Sequence, residues 1–376
     1  MSDKKPLGGA GLRGQVAGET ALCTVGKTGS GLTYRGLPIE VLAEKAGFEE
    51  VAHLLVYGHL PNRAELDAYQ ARLRGMRGLP DALRATLELI PRDAHPMDVM
   101  RTGCSMLGNL ETERDFSEAQ DSIDRMLAAF PSIICYWYRF SHDGERIDVE
   151  TDDASIAGHF LHLLHGEAPS ATHQRVMDVS LILYAEHEFN ASTFTARVCA
   201  STLSDIHSCV TGAIGSLRGP LHGGANEAAM EMIERYQSAE EAVAAVRNLL
   251  NNKEKVMGFG HAIYRESDPR NAIIKEWARK LGAEVGDKVL FPVSEAIEKL
   301  LWDEKRLFPN ADFYHASAYH FLGIPTKLFT PIFVMSRVSG WCAHVLEQRA
   351  NNRIIRPSAE YVGPETADWV DIDDRH

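Results

Sequence analysis

Apolar residues recur at helical spacing along nearly the whole chain, and this pattern restricts the possible folds more than any other feature. Such stripes run through Leu66, Tyr69, Leu73 and Met76, through Ile123, Met126, Leu127 and Phe130, and through Val243, Val246 and Leu250. Side chains three or four residues apart share one face of an α-helix, so each stripe predicts a helix packed on one side. We therefore expect an all-α protein.

Local signals predict where several of these helices begin and end. An Asn or Ser followed three residues later by Glu is typical of a capping box, and an Asp directly before Pro is typical of a helix start. A glycine after the last residue of a stripe is typical of a helix end. The predicted starts are Asn62, Ser238 and Asp268, and the predicted ends are Gly58 and Gly282.

A single early segment, residues 21–34, has the pattern of a β-hairpin. It contains two short runs, Ala-Leu-Cys-Thr-Val and Leu-Thr-Tyr, around a glycine-rich turn at residues 26–31. β-Branched and aromatic residues beside such a turn favour a hairpin. The sequence therefore predicts helices joined by short loops, with one short N-terminal hairpin.

The size and charge of the chain limit its organisation and its partners. With 376 residues, 45% of them apolar, two domains are expected. The formal net charge of −13 repels nucleic acid and anionic membrane surfaces, so neither is an expected partner. An anionic ligand must therefore meet local positive charge.

The cysteines and the N-terminal residues favour a cytoplasmic protein. The six cysteines form no C-x-x-C pair and suggest neither a zinc site nor a disulfide framework. The start, MSDKKPLGGAGLRGQ, lacks the apolar stretch of a signal peptide, and no apolar run approaches a membrane span.

Two motifs are weak evidence for a cofactor. Residues 9–14 spell G-x-G-x-x-G, but no predicted strand precedes them, as nucleotide binding requires. His159, His162 and His165 recur every third residue and could in principle ligate a metal. Without a carboxylate or thiolate at ligand spacing, packing or surface histidines are the favoured interpretation.

Four segments concentrate the polar chemistry of the chain. They are Tyr184-Ala-Glu-His187-Glu-Phe-Asn190, Gly219-Pro-Leu-His222-Gly-Gly-Ala-Asn226, Gly258-Phe-Gly-His261-Ala-Ile-Tyr, which continues to Arg270, and Asn310-Ala-Asp312-Phe-Tyr. Each histidine alone could be a core, turn or loop residue, and the aspartate alone could be a helix cap. In this order, however, the segments resemble the citrate synthase family, and the surrounding sequence does so from about residue 19 to residue 363.

The resemblance implies a fold and a domain division. The family's subunit is mostly α-helical and has two domains, the small one inserted near the C-terminal end of the large one. By this resemblance residues 1–221 and 326–376 form the large domain, with the dimer contact and the oxaloacetate site. Residues 222–325 form the small domain, with the CoA site and the catalytic aspartate.

The resemblance also implies the catalytic residues. Carbon–carbon bond formation beside a thioester needs a base, a donor to the enolate oxygen and an acid that polarises the ketone. By resemblance Asp312 is the base, His222 donates to the thioester oxygen and His261 polarises the oxaloacetate carbonyl. His187 helps to hold oxaloacetate, and no metal or cofactor takes part, since the CoA thioester is a substrate.

The local sequence predicts the protonation of two of these groups. His222 precedes a Gly-Gly turn that opens a predicted helix at residues 225–236, and a helix N-terminus disfavours imidazolium, so we expect a neutral donor. Phe313 and Tyr314 follow Asp312, so we expect desolvation to raise its basicity.

Arginines are the expected receptors for the carboxylates of oxaloacetate and of the product. Guanidinium groups bind carboxylates bidentately and stay charged. Arg270, Arg337 and Arg356 match the family's positions, and Arg337 lies in the unusually apolar run Phe-Thr-Pro-Ile-Phe-Val-Met-Ser-Arg337. The family counterpart of Arg356 reaches the neighbouring subunit's site, which implies a homodimer, although composition alone also allows a surface cation.

Local cations are also expected near the CoA nucleotide. Lys253, Lys255, Lys305 and Arg306 are candidates, although each could equally be a solvated helix end. By resemblance, the backbone at Gly258 and Gly260 lets the adenine approach closely, since glycine leaves main-chain groups accessible.

The acyl group is the least determined part of this hypothesis. Several stretches, including His95-Pro-Met-Asp-Val-Met-Arg101, are more similar to the bacterial 2-methylcitrate synthases of this family, so propionyl-CoA ranks first. Acetyl-CoA is expected as a side substrate, because one methylene in an apolar pocket changes binding by only about 1–3 kcal/mol. The alternatives are a citrate synthase using mainly acetyl-CoA, an inactive regulatory member, a metalloprotein and a citryl-CoA lyase.

Overall fold

The computed structural model describes residues 11–12, 14–26 and 31–375, and in this part of the chain α-helices predominate. The first ten are α1 Ile39–Lys45, α2 Phe48–Tyr57, α3 Arg63–Arg74, α4 Asp81–Glu88, α5 Pro96–Leu110, α6 Ala119–Tyr138, α7 Ile156–His165, α8 Ala171–Tyr184, α9 Ala191–Ser201 and α10 Ile206–Leu217. The others are α11 Ala225–Ile233, α12 Ala239–Asn251, α13 Pro269–Glu284, α14 Leu290–Lys305, α15 Ala311–Phe321 and α16 Phe329–Ala350. The predicted all-α class is confirmed.

The predicted hairpin is present and belongs to a small three-stranded antiparallel sheet. Strands β1 Cys23–Val25 and β2 Leu32–Tyr34 pair with Cys23 opposite Tyr34, and β3 Leu37–Pro38 pairs with β2. The strand β3 was not predicted. The predicted glycine-rich turn falls largely on residues 27–30, and the G-x-G-x-x-G motif includes residues 9, 10 and 13; all of these lie outside the described residues.

Most of the predicted helix boundaries are confirmed by their caps. The Asn62 side chain accepts a hydrogen bond from the backbone N–H of Glu65 at 3.0 Å, and Ser238 caps α12 in the same way. Asp268 caps α13, and Gly58 ends α2 in the left-handed conformation at φ 92°. Short-range capping chemistry therefore sets these ends, as the sequence predicts.

The predicted helix end at Gly282 is wrong. The helix α13 continues through this glycine to Glu284. A Cβ at Gly282 would lie 3.2 Å from the Phe321 ring, so the glycine permits close packing between α13 and α15. Tertiary packing, not helix termination, explains the residue.

The helix α16 lies at the centre of the larger body of helices. Every residue from 329 to 345 is buried, and the helix packs against α2, α5, α6, α8, α9 and α10. A Cβ at Gly340 would lie 2.3 Å from the Ala185 carbonyl oxygen, so α16 closely approaches the segment that follows α8. This contact places the C-terminal helix beside the first histidine motif.

A second group of helices, α11 to α15, packs mainly within itself. The helix α15 contacts α11 and α13, and α12 contacts α14. The helix α8 of the larger body touches both α13 and α15. The starts of α9, α11 and α15 and the ends of α8 and α10 meet at this boundary.

Within the described residues, no helix combines the length and the apolar character that crossing a bilayer requires. All six cysteines are unpaired thiols, and five of them are buried.

Candidate active site

The boundary between the two groups of helices encloses a cavity of about 730 Å³. It is lined by Tyr184, the last residue of α8, by the start of α9, by the loop before α11 and by the start of α15. Eight of the predicted site residues line it: His187, His222, Lys255, Gly260, His261, Arg270, Asp312 and Arg337.

His222 is oriented by the first turn of α9. Its Nε2 lies 3.3 Å from the backbone nitrogen of Ser192 and 2.8 Å from the Ser192 hydroxyl oxygen, to which Trp341 donates. Because a backbone N–H can only donate, Nε2 is an acceptor and the neutral ring carries its proton on Nδ1. Burial and then the charge of Arg337 lower the pKa of His222 to about 4. This lowered pKa agrees with the expected neutral state of His222, although burial and not the helix terminus is its main cause.

His261 is held in the opposite tautomer by its own loop. Its Nδ1 lies 3.1 Å from the backbone nitrogen of Ile263 and 3.2 Å from that of Tyr264. Both are donors, so the proton of the neutral ring lies on Nε2. Burial, followed by the charge of Arg270, lowers the pKa of His261 to about 4. His261 is therefore a neutral donor whose direction is set by the backbone.

His187 completes the cluster of neutral imidazoles. It is buried, its ring centre lies 5.1 Å from that of His261, and its Nε2 lies 3.1 Å from the Tyr264 hydroxyl. Burial is the main cause that lowers the pKa of His187 well below its usual value, with Arg270 next. The ring is thus uncharged beside a cavity that contains two arginines.

Asp312 lies in the first turn of α15, which Asn310 caps. The Tyr184 hydroxyl donates to its Oδ1 at 2.6 Å. In the described part of the chain, no hydrogen bond to Oδ2 is found. Burial raises the pKa of Asp312, while the bond from Tyr184 and the charge of Arg270 partly oppose this rise. The expected increase in basicity is confirmed in direction.

The loops that carry His261 and Asp312 are tied to each other. The backbone N–H of Gly260 donates to the Phe308 carbonyl at 2.8 Å, and that of Asn310 donates to the Gly258 carbonyl at 2.9 Å. The Asn310 side chain also donates to the Gly260 carbonyl at 3.1 Å. We call this pairing of residues 258–260 with 308–310 the loop ladder.

Arg270 is fixed by a bidentate pair with Asp268. The guanidinium donates through Nε at 3.0 Å and through Nη2 at 2.8 Å to the two carboxylate oxygens of Asp268. Burial alone would lower the pKa of Arg270, but the charge and hydrogen bonds of Asp268 raise it. Asp268 also accepts from the backbone N–H of Ala311 at 3.0 Å, which links the arginine to the start of α15.

Arg337 is a buried cation on α16 with 1% of its surface exposed. Its Nε donates to the Tyr184 carbonyl, and its guanidinium lies 4.6 Å from the centre of the Phe333 ring. Burial lowers the pKa of Arg337, and the charge of Glu186 opposes that effect. The predicted partnered setting of this arginine is confirmed.

The other predicted site residues do not line the cavity. Arg356 is exposed and lines a second cavity of about 1060 Å³ beside the N-terminal segment 15–21. Gly258 is buried with φ 84°, and an added Cβ would lie 2.9 Å from the Phe313 ring. The remaining cations, Lys253, Lys305 and Arg306, are exposed.

The three regularly spaced histidines have other partners. His159 lies 3.2 Å from the Ser132 hydroxyl and 3.0 Å from that of Thr151, and His165 bonds to the Leu322 carbonyl. His162 pairs with Asp153. Among the described residues no group of potential metal ligands occurs.

Four residues of the site were not predicted: Tyr184, Ser192, Tyr264 and Asp268. Asp268 was recognised only as a helix cap, and Ser192 lies in the Asn-Ala-Ser-Thr start of α9. Tyr184 and Tyr264 belong to segments that were singled out, but their partners are distant in sequence. Asp268 alone had a local signal, its place two residues before Arg270.

Comparisons with known proteins agree with this geometry. Residues 11–358 match the family described as citrate synthase, C-terminal domain. The chain is 72% identical to a 2-methylcitrate synthase of Shewanella oneidensis over 100% of both chains, and 41% identical to a citrate synthase of Deinococcus radiodurans over 97% of this chain and 98% of that one. A Thermoplasma acidophilum citrate synthase, solved with carboxymethyl coenzyme A and oxaloacetate, superposes with a TM-score of 0.89 at 31% identity, over 97% of this chain and 98% of that one.

One cavity of this helical protein contains neutral imidazoles and a basic carboxylate, and its relatives are citrate and 2-methylcitrate synthases. These features define a condensing enzyme of the acyltransferase type. The chain belongs to the citrate synthase family.

Proposed function

We propose that this enzyme condenses propionyl-CoA with oxaloacetate and water to give 2-methylcitrate and CoA. Acetyl-CoA is a side substrate, and no cofactor is used because the CoA thioester is itself a substrate. The observation that supports this most strongly is the 72% identity, over both full lengths, to a 2-methylcitrate synthase.

The first step is removal of a proton from the carbon beside the thioester. Asp312, which lines the cavity, takes this proton through Oδ2, and its raised pKa makes it a better base. His222 donates Nδ1–H to the thioester oxygen as the enolate forms. A neutral imidazole suits this role, because the donor keeps its proton while the oxygen becomes negative.

The second step forms the carbon–carbon bond. His261 donates Nε2–H to the ketone oxygen of oxaloacetate, which makes that carbon more electrophilic and stabilises the alkoxide that results. His187, Arg270 and Arg337 hold the oxaloacetate carboxylates. The alkoxide takes up a proton and Asp312 releases the one that it removed; water then cleaves the thioester of the adduct, and CoA leaves as a thiol.

The domain division predicted from the sequence is part of the proposal. Residues 1–221 and 326–376 form the large domain, and residues 222–325 form the small domain. The self-contained packing of α11 to α15 supports this division. We propose that oxaloacetate binds first and closes the small domain over the cavity, which excludes water from the enolate step.

The CoA nucleotide binds near Lys255 and Gly260, which line the cavity. The weaker part of this proposal is the contribution of four residues that do not line the cavity: Lys253, Lys305, Arg306 and Gly258. The protein acts in the cytoplasm as a homodimer, and Arg356 of each subunit reaches the neighbouring site.

The proposal is tested by CoA release from the purified protein with oxaloacetate and either propionyl-CoA or acetyl-CoA. We expect kcat/KM to be about tenfold or more higher for propionyl-CoA, which is what one methylene provides. Replacement of the base, Asp312→Asn, should lower kcat by about a hundredfold or more. The matched control is Asp303→Asn, on the exposed face of α14.

A higher kcat/KM for acetyl-CoA would favour the second candidate, a citrate synthase, as in the relative from Deinococcus radiodurans. Absence of CoA release with both thioesters would contradict the condensing activity itself.

A further inference from the structure

We propose that Tyr184 is a positioning residue for the catalytic base: its hydroxyl holds Oδ1 of Asp312, so that Oδ2 alone faces the acyl-CoA. This inference rests on the proposed function and adds a residue to which that proposal gives no role. The hydrogen bond also joins α8 to α15, two elements that the proposed division assigns to different domains.

The hydrogen bond between Tyr184 and Asp312 has a defined donor and a defined acceptor. The distance of 2.6 Å from the Tyr184 hydroxyl to Oδ1 is in the range of a hydrogen bond from a hydroxyl to an ionised carboxylate. Burial, and next the charge of Asp312, raise the pKa of Tyr184 well above its usual value, so the proton stays on the phenol. Tyr184 is therefore the donor and Asp312 the acceptor.

The ring of Tyr184 is fixed from several sides. Its centre lies 4.2 Å from that of Phe333 on α16 and 4.2 Å from that of His315 on α15. Its backbone carbonyl accepts the hydrogen bond from Arg337. A ring that is packed in this way gives its hydroxyl one direction, and the carboxylate must align with it.

A carboxylate that acts as a base must present one oxygen in a fixed orientation. A carboxylate that is free to rotate presents either oxygen, and proton removal requires one of them at a defined distance and angle. Oδ1 is occupied by Tyr184, while Oδ2 has no partner in the part of the chain that the structure describes. Contact between α8 and α15 therefore fixes which carboxylate oxygen faces the acyl-CoA.

Other charges also act on Asp312. The positive charges are Arg270, beside α15, and Arg337, on α16, and both favour the ionised carboxylate. Asp268 opposes them. Removal of the Tyr184 hydroxyl leaves these three charges in place, so its own effect is measurable.

The test is Tyr184→Phe, with Tyr319→Phe as the matched control. Tyr319 is equally buried, but its hydroxyl bonds to Ser180. We expect Tyr184→Phe to lower kcat by about tenfold to a hundredfold with little change in KM, as loss of a hydrogen bond to a charged group implies. The acid limb of kcat/KM should move up by about one pH unit, because the carboxylate loses a donor.

An isotope effect separates positioning from a general loss of structure. With propionyl-CoA deuterated beside the thioester, the isotope effect on kcat/KM should be larger in Tyr184→Phe than in the parent. A slower proton transfer contributes more to the overall rate, whereas partial unfolding lowers the rate without changing the isotope effect.

A second substitution covers the case in which Tyr184→Phe does not fold. Incorporation of 3-fluorotyrosine at position 184 makes the phenol a stronger donor, so the acid limb should move to lower pH; the same replacement at position 319 should not move it. An unmoved limb in both Tyr184 variants, with an active parent, would overturn the role of Tyr184. An inactive parent would instead count against the proposed function.

Discussion

At the scale of single residues, hydrogen-bond donors decide how each imidazole can act. Backbone N–H groups occupy Nε2 of His222 and Nδ1 of His261, so the two neutral rings present opposite nitrogens to the cavity. A neutral imidazole with one nitrogen fixed as acceptor is a donor in a single direction. The two rings can therefore face different substrates.

The pKa shifts of His222, His261 and Asp312 predict how activity falls at low pH. His222 and His261 have pKa values of about 4, so both stay neutral above about pH 5. The Asp312 pKa is raised, and the base works only when ionised, so activity should be present above that pKa and lost as the pH falls through it. We expect one acid limb of unit slope in a profile of kcat/KM against pH that extends to both sides of the limb.

A limb with a slope of two would contradict this prediction, because a second group would then titrate with Asp312. Asp303→Asn, far from the cavity lining, should leave the limb unchanged.

Single residues also show the limit of prediction from sequence. The resemblance of their segments to the citrate synthase family was enough to predict that Asp312 and the three histidines belong to one site, and all four line the same cavity. The roles of Tyr184 and Ser192 were missed because their partners lie 128 and 30 residues away along the chain. A contact that the tertiary fold creates has no local signal.

At the scale of elements, one glycine fixes the distance between α16 and the segment after α8. A Cβ at Gly340 would lie 2.3 Å from the Ala185 carbonyl oxygen and 2.3 Å from Oε2 of Glu186. Neither partner can move freely, because Glu186 is buried and bonded to His344 at 2.8 Å. The glycine therefore controls the position of the residue before His187.

Gly340→Ala should consequently destabilise the protein by about 1–3 kcal/mol, the usual cost of overpacking, and should also lower activity. Gly75→Ala is the matched control, since Gly75 has φ −69° and an added Cβ would make an ordinary contact at 3.5 Å. The control should stay within about 1 kcal/mol of the parent. Urea unfolding measures both, and equal stabilities would contradict the prediction.

Elements were predicted well where their signals are local. Asn62, Ser238 and Asp268 cap helices through their own neighbours, so the starts were correct. Gly282 was wrongly assigned to a helix end. Its role is to admit Phe321 from another helix, and such a contact leaves no local signal in the sequence. The strand β3 was missed because it has two residues and one is Pro38, which cannot donate to a ladder.

At the scale of the whole molecule, the proposed dimer would complete each site with a residue from the partner. In the single chain Arg356 lines the second cavity and not the one that contains Asp312. The two cavities share the segment 15–18. In the single chain, one of the three predicted carboxylate receptors therefore lies outside the cavity that contains Asp312.

Mixing two inactive variants tests this arrangement. Asp312→Asn lacks the base and Arg356→Ala lacks the shared arginine, so refolding them together should restore activity in mixed dimers. Random pairing gives mixed dimers half of the time with one complete site each, which is about a quarter of the parent activity. Mixing each variant with itself is the control, and no recovery in the mixture would mean that Arg356 acts within its own subunit.

The loop ladder has a consequence for how this family diversifies. It joins residues 258–260 to 308–310; His261 directly follows one side, and Asp312 follows the other side after Ala311. The spacing of the two groups is therefore set once, when the chain folds, and needs no fresh ordering in each turnover. Side chains outside the ladder can then change by substitution without disturbing this pair. Relatives with different names, such as the 2-methylcitrate synthase and the citrate synthase, can thus share one arrangement of these two residues.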